Sequence, residues 1–156
     1  MAVFLFVSIA ILVFWGFADK GRFRAMFPVW MSAIFVRFLD HYIVIDWFKL
    51  WVLHGQGWRM IWIPMLANIT IWPIAAYLYI QYLPKSRNFF RLLLHTLPYV
   101  VVMSGYLQIL TYLKVFDMQK GWTIWHTFVN LFFYFYMMYG IYRWQTHPVR
   151  GGVTNV

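Results

Sequence analysis

Arg37, Asp40 and His41 stand within five residues of one another in "FVRFLDHYIVIDWFKLW", the stretch from Phe35 to Trp51. A cation, a carboxylate and an imidazole could together bind an ion, hold a ligand or move a proton. Their i, i+3 and i, i+4 spacings put all three on one face of a helix. Asp40 can then neutralise Arg37, and the pair can hydrogen-bond to His41. The surrounding residues are apolar. An ionised side chain at the centre of a bilayer costs about 2.5–3.5 kcal/mol on insertion scales, so it persists where it pairs, reaches the interface or lines water.

Other polar residues recur in the apolar segments further along the chain. Asn68 and Thr70 are one pair. Ser104, Gln108 and Thr111 follow at i, i+4, i+7, and Thr123, His126, Thr127 and Asn130 share another helical face. The candidate site for a ligand, ion or proton is therefore Arg37, Asp40, His41, Asn68, Gln108, His126 and Asn130. The competing expectation is that these groups hydrogen-bond between helices and only fix packing. His41 and His126 lie on different segments at similar depth, the minimum pair for a b-type haem. No other metal-ligand pattern is present.

Catalytic signatures are missing. The chain has no H-E-x-x-H, P-loop, G-x-S-x-G or dinucleotide fingerprint. It has no Glu, and its acids are Asp19, Asp40, Asp46 and Asp117. Ser104 has no base near it in sequence. With no cysteine, disulfides, thiolate metal sites and cysteine nucleophiles are excluded. His95, one turn after Arg91, reads as a satisfied interfacial histidine, and His54 and His147 as solvated ones.

The elements that must position these residues follow from composition. Of 156 residues, 63% are hydrophobic and 11% charged, against about 25% charged in soluble domains. A chain this short cannot bury so much apolar surface in a water-facing globule. The expectation is an all-α, polytopic transmembrane bundle with the lipid bilayer as solvent. Spans of about 20 apolar residues are placed at 2–17, 26–44, 60–83, 92–113 and 122–142. Residues 1–144 form one bundle domain, and 145–156 a cytoplasmic tail. The piece from Asp46 to Arg59 is too polar to span and is expected as a short interfacial helix ended by Gly55 or Gly57. Pro64, Pro73 and Pro98 are candidate kink sites.

The first segment has no positive n-region, and Lys20, Arg22 and Arg24 follow it directly. That pattern predicts a retained helix with its N-terminus outside. In this threading Lys20, Arg22, Arg24, Lys85, Arg87, Arg91, Arg143 and Arg150 are inside, and Lys49, Arg59, Lys114 and Lys120 outside. Eight against four agrees with the positive-inside bias. Trp and Tyr near the span ends, among them Trp47, Trp51, Trp58 and Trp122, read as interfacial belts. The net charge of +9 belongs to these loops and forms no stripe of the kind that grips nucleic acid.

"IPMLANITIWPIAAYLYIQYLP" with its basic loop, "GWTIWHTFVNLFFYFYMMYGIYRWQTHP", and the basic turn "FADKGRFRAMFP" resemble a family of small integral membrane proteins from spore-forming Gram-positive bacteria. The resemblance implies a plasma-membrane protein of about five spans and supplies no activity. The family often has an acidic residue in the fourth helix, where Ser104 to Gln108 has none, and His126 stands where another aromatic residue is common. Three functions remain open: an accessory subunit of a larger membrane complex or self-assembly, a small transporter or channel component with an outward-facing polar pocket, and a haem- or quinone-binding redox subunit.

Overall fold

A computed structural model describes residues 2–55, 57, 59–85 and 88–146; the side chains of residues 2, 59 and 60 are not described. Its helices are α1 (Ala2–Phe17), α2 (Phe23–His41), α3 (Arg59–Ile69), α4 (Ile71–Gln81), α5 (Phe89–Tyr112) and α6 (Ile124–Thr146). A π-helical segment, Tyr42–Trp47, prolongs α2. Among the described residues, three helical stretches are long and apolar enough to cross a membrane: Lys20–Trp47, Ile61–Gln81 and Phe89–Tyr112. α1 is apolar but shorter, and α6 is not one of the three. The helix α6 runs through Gln145 and Thr146, into the expected tail. Trp58, His147 and the rest of the tail lie outside the described residues.

α4 is the central helix. Eight of its eleven residues are buried, from Ile71 through Ile80. α1 lies on it through Phe14, whose ring meets Tyr77 edge-on at 5.4 Å. Val3 is buried and Phe6 meets Tyr106 at 5.1 Å, while the opposite face of α1 turns outward, with Leu5, Leu12 and Trp15 exposed. The expected single helix over 60–83 is broken at Thr70 (φ −121°, ψ −68°). Pro73 explains the break: it has no N–H for the Ile69 carbonyl, and its ring crowds that carbonyl. The Thr70 hydroxyl turns back to the Leu66 carbonyl. Pro98, by contrast, leaves α5 continuous.

Each end of the bundle is tied by polar contacts. At one, the α1–α2 turn is fastened to the end of α4. Gln81 Nε2 and the Tyr82 hydroxyl both donate to the Phe17 carbonyl at 2.9 Å. The Tyr77 hydroxyl donates to the Asp19 carbonyl at 2.6 Å, and the Asp19 N–H to Gln81 Oε1 at 2.8 Å. Nearby, His95 Nε2 donates to the Tyr79 carbonyl at 2.9 Å, one of the last carbonyls of α4, which has no partner within its own helix. His95 is thus the satisfied histidine its surroundings suggested.

The other end carries a feature absent from the helical expectation. Among the described residues of 46–59 there is no interfacial helix. Trp51–Leu53 is a strand, β1, paired antiparallel with β2, Phe116–Met118. Trp51 stacks on Phe116 at 4.9 Å, and Trp-Val-Leu suits a strand better than a surface helix. Its partner is more than sixty residues away, so no local pattern announces it. Outside the membrane-spanning stretches, His54 Nε2 meets Asp117 Oδ2 at 2.8 Å. That hydrogen bond, with Lys114 nearby, holds the Asp117 carboxyl below its ordinary range.

Lys114 ends α5 in the left-handed region, φ 55°. The Lys114 N–H reaches the Thr111 carbonyl at 3.0 Å and the Val115 N–H reaches Leu110 at 2.9 Å, the two bonds of a Schellman cap. Glycine is the residue this position favours. Lys114→Gly should raise unfolding stability by about 1 kcal/mol, the cost of holding a side chain in that region, and Lys114→Val should lower it. Thermal unfolding in detergent micelles measures both.

Candidate ligand site

Arg37 is buried to 5% exposure inside an apolar bundle, and each of its neighbours can be traced to an element. Asp40, one turn on along α2, is its ion partner through Nη1. Trp72 of α4 lies under the guanidinium, with Cζ 3.7 Å from the ring centroid. A desolvated contact of this kind is worth about 2 kcal/mol. The second Asp40 oxygen accepts from Asn130 Nδ2 of α6 at 3.1 Å. The Trp72 carbonyl accepts from the Tyr134 hydroxyl, one turn beyond Asn130, at 3.2 Å. One charge therefore joins α2, α4 and α6.

Asn68 and His41 lie beside this centre. Together with Arg37 they line a cavity between α2, α3, α5 and the β1–β2 pair. Its inner end, about 50 Å³, also touches Trp51, Trp72 and Tyr106. It adjoins a wider opening of about 540 Å³ that shares His41, Trp51 and Asn68 and is edged by Asp46 and Lys49. Arg37 Nε, Asn68 Nδ2 and Trp51 Nε1 are buried and make no hydrogen bond among the described residues.

The remaining expected residues divide differently. Asp40, His126 and Asn130 line a groove on the other side of α2, against the start of α6. His126 is exposed and serves its own helix: Nδ1 accepts the Thr123 N–H at 3.1 Å and meets the Thr123 hydroxyl at 2.9 Å. The ring reaching back to the Thr123 N–H is one half of a capping box, with histidine in the place of Glu or Gln. His41 and His126 therefore face separate spaces, and the structure does not bring them onto one metal. Gln108 is partly buried, lines neither space and makes no hydrogen bond among the described residues. Thr111 bonds back to Leu107 of its own helix at 3.1 Å.

Two tryptophans were missed as site residues. Trp72 follows Asn68 at i, i+4, a signal that the two share a face, although the break at Thr70 intervenes. Trp51 read as an interfacial belt residue, and only the distant strand Phe116–Met118 turns it inward.

Fold and site together define a small helical bundle with stretches long and apolar enough to cross a membrane, a buried ion pair and a cavity beside it. The chain matches no family model, no curated protein and no solved structure.

The hydrogen bonds rank the site residues by cost. Asn130→Leu removes a bond to a charged group and should destabilise by about 2 kcal/mol. His126→Leu removes a cap and should cost about 1 kcal/mol. Gln108→Leu should be close to neutral. Chemical unfolding of the three variants in one detergent checks the order.

Proposed function

We propose that this chain is a five-span protein of a bacterial plasma membrane that holds a small ligand in the cavity under its β1–β2 strand pair. The observation that carries the ligand reading is the set of three buried, unpaired N–H donors on Arg37, Trp51 and Asn68. They come from α2, β1 and α3 and line one cavity. An unsatisfied buried donor costs about 1–3 kcal/mol, so three around a single space favour an occupant over packing alone.

Supporting the fourth and fifth spans are the outward faces of α1 and α6. Leu5, Leu12 and Trp15 on α1, and Trp125, Val129 and Phe133 on α6, are exposed large apolar side chains. Water would penalise such faces and lipid would not. The orientation with the N-terminus and the β1–β2 strand pair outside rests on the charge bias of the sequence. In that threading eight of thirteen Lys and Arg are assigned to the inner side and four to the outer side, with Arg37 between. The cavity then opens outward, as in a binding or transport component. The family resemblance agrees with a bacterial membrane location.

The absence of native cysteine makes sidedness directly testable. Single Lys120→Cys and Met65→Cys variants should react in intact cells with a small membrane-impermeant thiol reagent, Met65→Cys more slowly from within the cavity wall. Lys20→Cys should react only after permeabilisation. The reverse pattern for Lys20 and Lys120 refutes the orientation, and an inert Met65→Cys refutes the opening.

A further inference from the structure

The cavity has hydrogens to give and no charge to spare. Arg37 gives Nη1 to Asp40 and keeps Nε–H unpaired among the described residues. The Trp51 indole N–H and an Asn68 amide N–H are unpaired in the same sense. The three residues are 5%, 5% and 3% exposed, and all line the inner end of the cavity. Guanidinium and indole carry donors and no acceptor. A ligand there must bring oxygen acceptors.

Charge narrows the class. The buried cation is already matched by Asp40. At the mouth, Asp46 and Lys49 carry opposite charges. An anion entering this space would be stripped of water beside a pair that is already neutral, which is costly. A neutral carbonyl oxygen avoids that cost. Apart from His41 and Tyr106, the other walls are apolar, including Ile63, Pro64, Leu107, Leu110 and Phe116. In size, the inner end at about 50 Å³ exceeds the roughly 10–15 Å³ that one water needs. The adjoining 540 Å³ falls within the range of small-molecule sites.

We infer that the cavity binds a neutral, apolar carbonyl compound of the quinone or diketone class, with its oxygens toward Arg37 Nε, Trp51 Nε1 and Asn68 Nδ2. This rests on the reading of the cavity as a ligand site and adds the chemistry of the ligand. No redox step is included, since binding alone follows from these groups.

The test uses the full chain in lipid nanodiscs and native mass spectrometry. Menadione is the probe, a neutral diketone without an O–H; the chain has no thiol for it to modify. Decanoate and decylamine are the comparators. The expected result is one menadione per chain, bound about tenfold more weakly after Asn68→Leu or Trp51→Phe, with decylamine not retained. The ligand-free Asn68→Leu variant should melt no lower than the parent chain, because it loses a donor that had no partner; Trp51→Phe also gives up ring packing against Phe116 and Trp122, so it is read by binding alone. Ala67→Phe fills the same space without removing a donor and should also block menadione, which keeps the test decisive if either other variant fails to fold. Decanoate bound in place of menadione, with the same dependence on Asn68 and Trp51, would overturn the carbonyl class and leave the cavity a ligand site. If no probe binds and Asn68→Leu melts lower, the donors serve only the fold, and inference and ligand reading fall together.

Discussion

A guanidinium in an apolar bundle must be neutralised where it stands, and the arrangement around Arg37 follows from that. Asp40 supplies the charge, Trp72 the face, and Asn130 the bond that occupies the other carboxylate oxygen. Each partner fixes something larger. Trp72 sets the rotation of α4 against α2. Asn130 sets the depth at which α6 meets α2, and Tyr134 fastens α6 to the Trp72 carbonyl. Truncating one partner of a buried pair typically costs about 3–5 kcal/mol because the other charge is stranded. That is a large share of the 5–15 kcal/mol by which a domain is stable.

The two ends of the bundle show how the same chain holds its helices in register. The α1–α2 turn is sewn to the end of α4 by Tyr77, Gln81 and Tyr82, while the β1–β2 pairing joins the segments that leave α2 and α5. The pairing also brings Trp51 over the cavity, so the element that closes this end supplies one of the unpaired donors. The break at Thr70 contributes as well. It separates α3, which carries Asn68 to the cavity wall, from α4, which carries Trp72 beneath Arg37.

Much of this was legible in the residues. Composition was enough for a helical bundle with bilayer-length stretches. The i, i+3 spacing revealed the Arg37–Asp40 pair, and the polar face of the last helix placed Asn130 near it. What stayed hidden was non-local or competitive. The β1–β2 pairing depends on residues 51 and 118 meeting, and each three-residue strand is too short to show a period. His126 looked like a ligand because type and depth were right, but the Thr123 N–H at a helix start lies closer than any partner on another helix. Thr111 turns back to the Leu107 carbonyl of its own helix, and Gln108 beside it lines neither space. The cavity itself arises from gaps between packed elements, a property that no single segment contains.

The central claim is that Arg37 and Asp40 act as one neutral unit, and a double-mutant cycle measures it most directly. Unfolding free energies of Arg37→Met, Asp40→Leu and the double variant would be compared in the same detergent. The account predicts that each single variant loses about 3–5 kcal/mol. The double variant, with no stranded charge, should lose clearly less than the sum of the two. Additive losses would contradict it, because they would mean that the two side chains stabilise the bundle independently.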